Sequence, residues 1–176
     1  MKIHLSLPVK MKNLLIFSAL LSILFLPGCL KKESYPDVPQ IGFLGYENVF
    51  DSGSYATRGI FMISYTDGDG DIGLSGGDTL APYNKVGDYY YNLVIRYYEK
   101  QKGVFQLVQT DPPFSARIPL LSKLGERKAI KGTITDTLVL NPKPVYDTIR
   151  FEIFIYDRAL HKSNVVTTPV IVTRRH

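Results

Sequence analysis

The stretch Thr66 to Asp78, TDGDGDIGLSGGD, holds four of the chain's eleven aspartates and five of its fourteen glycines, and it follows directly on the apolar run Ile60 to Tyr65. Asp67, Asp69 and Asp71 stand at every second position with glycine between them and no lysine or arginine nearby. Carboxylates set this closely repel one another unless a positive charge sits among them. Asp-Gly pairs also make turns, which accounts for one or two such pairs but poorly for three in strict alternation. A hard divalent cation is the simplest partner, and Ca2+ takes about six to eight oxygen ligands in a flexible cage. Mg2+ prefers one or two carboxylates and keeps its waters, and zinc has no Cys or His to bind here.

Ahead of this loop lies an export signal. Lys2, Lys10 and Lys12 precede an apolar run from Leu14 to Leu26, and no acidic residue occurs before Glu33. A basic start followed by an h-region of this length reads as a secretory signal over residues 1–28, whether the start is Met1 or Met11. The run is shorter than the roughly 20 residues a membrane-spanning helix needs. It ends in Leu26-Pro27-Gly28-Cys29, which resembles the bacterial lipobox and implies lipidation of Cys29, the chain's one cysteine. Leu30 in place of Asp after that cysteine resembles lipoproteins sent to the outer membrane, with periplasmic or surface display left open. The expected membrane partner is therefore the lipid anchor on Cys29. Residues 29–40, with Pro36 and Pro39, read as a stiff, extended tether.

Removing residues 1–28 leaves 148 residues, close to one ordinary domain, and removes three lysines and no acids, so the formal charge falls from +5 to +2. A charge that small gives no footprint for nucleic acid. With a single cysteine the fold cannot rely on a disulfide, so burial must hold it together.

Over 41–176 the pattern is short β-type runs closed by turn residues. Ile41 to Leu44, Gly59 to Tyr65, Asp88 to Lys100, Val104 to Gln109, Ala129 to Leu140, Thr148 to Tyr156 and Asn164 to Val172 read as strands, with Phe114 to Leu121 as a short edge segment. In Asp88 to Lys100 the alternation puts Tyr89, Tyr91, Leu93, Ile95 and Tyr97 on a core face. Lys102-Gly103 reads as a hairpin turn. The expected fold is all-β: an immunoglobulin-like two-sheet antiparallel sandwich of seven or eight strands. The closing stretch IYDRALHKSNVVTTPVIV, with Asp157, Ala159, Ser163 and Asn164, resembles the last hairpin of bacterial immunoglobulin-like modules. Taken with the lipobox, the proline tether and DGDGDIG, the chain resembles a group of Bacteroidota lipoproteins. That resemblance implies a fold, a site and a location.

Counted as an EF-hand, the loop places Asp67, Asp69, Asp71, Gly73, Ser75 and Asp78 at ligand positions 1, 3, 5, 7, 9 and 12. Ile72 occupies the position where an EF-hand turns sharply on glycine, and the flanks are strand-like. The expectation is therefore an EF-like or thrombospondin-repeat-like DxDxD loop on a β framework, holding a structural Ca2+. In an immunoglobulin-like sandwich this loop shares an end with the final hairpin, which makes Asp157 a further candidate ligand.

Catalytic candidates are few. His4 goes with the signal, His176 ends the chain, and His161 falls in a predicted hairpin as a solvated turn residue. The expected function is a membrane-anchored, non-catalytic lipoprotein, calcium-stabilised for structural or adhesive binding to a protein or glycan. An alternative is a glycan-binding accessory lipoprotein whose strand face carries Tyr90, Asn92, Arg96 and Tyr98, although no Trp is present to anchor a sugar.

Overall fold

The computed structural model describes residues 33–175; Cys29, the signal segment and His176 lie outside the described residues. The fold is an all-β sandwich of two antiparallel sheets, as expected. Strands β1 (Gln40–Val49), β2 (Arg58–Asp67) and β5 (Ile130–Val139) form one sheet in the order β1-β2-β5. Strands β3 (Leu93–Gln101), β4 (Val104–Val108) and β6 (Thr148–Ile155) form the other with two short strands, β7 (Val166–Thr167) and β8 (Ile171–Val172), in the order β4-β3-β6-β7, with β8 also on β6. The chain crosses between sheets after β2, β4 and β5, which is how an immunoglobulin-like sandwich interlocks its layers.

The side-chain period of two decides which face each strand buries. In β2, Phe61 and Ile63 are fully buried while Met62 between them is exposed. In β6, Ile149, Phe151, Ile153 and Ile155 face inward. Each such residue contributes about 1.5–3 kcal/mol of hydrophobic stabilisation, so these few strands carry much of the core. Around Phe151 the rings of Tyr97 (5.5 Å), Phe114 (5.5 Å) and Tyr46 (6.1 Å) fill the remaining space. Phe154 points outward yet is buried, because Arg96 and Lys162 lie over its ring at 5.3 and 4.1 Å. The Lys102-Gly103 turn takes positive φ at both residues, 49° and 87°, as a tight hairpin turn requires.

Four local readings need correction. The strand expected from Asp88 starts at Leu93, because the Asn92 side chain is turned inward onto the backbone of Ile118. Tyr89 and Tyr91 consequently precede the strand: Tyr89 packs edge-on against Tyr156, and Tyr91 against Tyr90. The strand expected over Asn164–Val172 is split in two, since Thr168 inserts its hydroxyl to accept the Phe151 N–H at 3.0 Å and Pro169 comes next. The stretch Phe114–Leu121 forms bridges only, Ala116 with Leu93 and Pro119 with Leu74. Lastly, the C-terminal part of the expected tether is docked on the sandwich: Pro39 is buried, and the Pro36 carbonyl accepts the Gly68 N–H at 2.8 Å.

Candidate metal centre

Strand alternation builds the site. The inward series Phe61, Ile63, Tyr65 in β2 brings Asp67 inward as its next member. The series Phe151, Ile153, Ile155 in β6 likewise ends on Asp157. These strands belong to opposite sheets, so two carboxylates cap the core from both sides at the same end; Asp67 is 0% exposed and Asp157 2%. Beyond Asp67 the loop curls at Gly70 (φ 74°), and the Asp71 N–H donates to Asp67 Oδ2 at 2.9 Å. One oxygen each from Asp67, Asp71 and Asp157 lies within 4.8 Å of the others. Such a cluster could hold a metal ion.

The hydrogen bonding around these groups is incomplete. Asp67 Oδ1, Asp69 Oδ1 and Asp71 Oδ1 are all buried without a hydrogen-bond partner. Their other oxygens are used: Asp71 Oδ2 accepts the Ala159 N–H at 3.1 Å, and Asp69 Oδ2 lies 3.5 Å from the exposed Arg127 guanidinium. Asp157 accepts the His161 N–H at 2.7 Å on Oδ1 and faces His161 Nδ1 at 2.9 Å on Oδ2.

Burial, reinforced by the charges of Asp69 and Asp71, pushes the Asp67 carboxyl up to about 6. Asp71 rises to about 6 through burial and the charges of Asp157 and Asp69. Burial raises Asp157 as well, against the opposing bonds from His161. Its carboxylate in turn raises the His161 imidazole. The site thus disfavours its own negative charge, which is the condition a bound cation relieves.

The EF-hand register holds only at Asp67 and Asp71; Asp69 stands between them but outside the group of three, with Oδ2 toward Arg127. Ile72, where an EF-hand has its turning glycine, is fully buried and pairs in a bridge with Asp157. From there the chain runs extended: the Leu121 N–H donates to Ile72 O, and the Leu74 N–H to Ile118 O. Gly73 has φ 111°, and a Cβ there would stand 2.2 Å from Pro119 O, so its glycine serves close packing rather than a ligand turn. Ser75 and Asp78 are carried away from the cluster. Asp78 instead accepts the Ser75 N–H (2.6 Å) and hydroxyl (2.8 Å) and a bidentate pair from Arg158 at 2.6 and 3.0 Å. Arg158 holds that carboxyl far below its usual range. Gly73, Ser75 and Asp78 are therefore absent from the group that the structure gathers, whereas Asp157 belongs to it.

The expected glycan face is not assembled either. Asn92 is buried, accepting the Ile118 N–H at 2.6 Å. Tyr90 lies in the loop before β3, its ring 5.0 Å below the Arg117 guanidinium. Arg96 and Tyr98 do share the outer face of β3, where both approach Glu152 and Tyr98 donates to it at 2.8 Å. Glu152 is thus shared by these two cross-strand neighbours.

Two arginines carry no mark in the sequence. Arg158 anchors Asp78, and Arg117 donates to four carbonyls, those of Ser75, Asp78, Tyr83 and Tyr90, at 2.9 to 3.3 Å. Both act across long sequence separations, where no local pattern could single them out. Beside the cluster opens a cavity of about 400 Å³ lined by Asp37, Asp69, Asp71, Arg127, Arg158 and His161, among others. Comparison with protein-family models, with curated proteins and with solved structures returns no match to this chain.

Proposed function

We propose that the chain is a membrane-anchored, non-catalytic lipoprotein whose sandwich is stiffened at one end by Ca2+, serving as a structural or adhesive module. The observation that carries the metal reading is the set of buried, unpartnered Oδ1 atoms of Asp67, Asp69 and Asp71 beside Asp157. Leaving charged oxygens buried without donors costs several kcal/mol each, and a dication offsets that cost for all of them together. Three converging carboxylates, with Asp69 beside them and no sulfur, suit a hard cation, and Ca2+ tolerates the irregular cage better than Mg2+. The anchor is the lipidated Cys29, and the location is the outer membrane. Outside the cytoplasm, calcium sites as weak as about 10⁻⁴ to 10⁻³ M are filled. The partner of such a module is a protein or a glycan.

Thermal melts of metal-stripped protein with EDTA and with added Ca2+ test this. At calcium 100-fold above its dissociation constant the folded state gains about 2.7 kcal/mol. For a domain of this size that raises the midpoint by about 5–10 °C. An unchanged midpoint at ten-millimolar calcium, about tenfold above the weakest of such sites, in a folded sample would sink the calcium reading.

A further inference from the structure

The lead-in to β1 passes directly over the acidic loop. Besides the hydrogen bond from Gly68 to Pro36, the two backbones come so close that a Cβ at Gly68 would stand 2.3 Å from Tyr35 O and 2.8 Å from Asp37 Oδ1. Only glycine permits that approach. The Asp37 carboxylate thus lies against the residue between Asp67 and Asp69, and it lines the same cavity as Asp69 and Asp71.

The members of the cluster differ in how firmly they are held. Asp67 ends β2, and Asp157 comes just after β6 and is bridged to Ile72. The loop carrying Asp69 and Asp71 is pinned by three donors from two other segments: Lys128 N–H to Asp69 O and Ser122 Oγ to Gly70 O from the β4–β5 connection, and Arg158 N–H to Asp71 O from beyond β6. Asp37 is exposed and rides on a segment that precedes the first strand and belongs to neither ladder. Repulsion within a metal-free cluster acts most on the charge that can move, and a dication reverses the sign of that force.

We infer that the acidic loop is a metal-dependent latch for the lead-in segment Tyr35–Pro39: the cation held by Asp67, Asp71 and Asp157 draws in the Asp37 carboxylate, directly or through one water, and fixes that segment on the sandwich. In the metal-free protein, Asp37 is repelled and the segment lifts. This inference rests on the metal reading above and adds to it a further ligating side chain and a mechanical consequence.

Amide hydrogen exchange of the full chain, with excess Ca2+ and with EDTA, separates the two ideas when run beside thermal melts. Calcium is expected to slow exchange at Gly68, whose N–H donates to Pro36 O, by a factor in the usual range of site-to-site coupling, about 5- to 150-fold. Asp37→Ala removes both the repulsion and the attraction, since it leaves no side-chain oxygen. In that variant the Gly68 amide should respond far less to calcium, while the melting midpoint still rises with it. A midpoint that rises while exchange at Gly68 stays unchanged overturns the latch and leaves the site standing. An Asp37→Ala variant that behaves as the parent overturns it too. No calcium effect on either measurement removes both readings.

Discussion

Asp67 is a wholly buried carboxylate with one oxygen satisfied by the Asp71 N–H and the other facing only further acids. Replacing it with asparagine keeps the shape, removes the charge and adds a donor where acceptors are crowded. We expect Asp67→Asn to stabilise the metal-free protein by about 1–3 kcal/mol at neutral pH, as its raised carboxyl pKa implies, and to abolish the calcium response. Denaturant titrations with and without calcium check both parts. Much of this site is legible in the sequence, because Asp67 and Asp157 are each the next inward member of a strand's alternation. The course of the chain beyond Asp71 is not legible. Asp78 finds Arg158 eighty residues later, and Gly73, a ligand position in the EF-hand register, serves close packing against Pro119 instead.

The loop joining β2 to β3 has no strand of its own, and Arg117 is its organiser. Its guanidinium gathers the carbonyls of Ser75, Asp78, Tyr83 and Tyr90 from outside that loop. Hydrogen bonds to a charged donor contribute about 1.5–3 kcal/mol, discounted here because the group is only half-buried. Arg117→Ala should cost the domain about 2 kcal/mol and speed hydrogen exchange across residues 76–90 more than in β6. Equal exchange in both regions would show that the loop holds itself. The strands flanking this loop were readable from their periodicity; the start of β3 was not. Asn92 continues the alternation of Asp88–Lys100 perfectly, and only its hydrogen bonds to Ile118 take it out of the strand.

For the whole molecule, the acidic end sets the pH dependence of stability. Asp67 and Asp71 have folded pKa values near 6, above the usual value of about 3.9 in an unfolded chain, so the metal-free folded state holds more protons between these limits. Stability should therefore fall as pH rises from about 4 to about 6. His161, raised by Asp157, adds a contribution of the same sign that is lost as pH rises through its folded value. Asp78, held low by Arg158, works oppositely: its contribution is present above about pH 3.9 and is lost on acidification. Melting midpoints in EDTA should thus peak on the acid side, near pH 4–5, and calcium should reverse the slope above that, because metal and protons compete for the same oxygens. The docking of Pro36 on Gly68 also bears on how the molecule stands. With acyl chains on Cys29, as proposed, only residues 30–34 separate the lipid from Tyr35, a leash of roughly 20 Å when fully stretched. Under that proposal the anchor and the acidic loop act on the same end of the sandwich, the end from which the chain enters β1. The turns after β1, β3 and β5 build the opposite end, the one remote from that attachment.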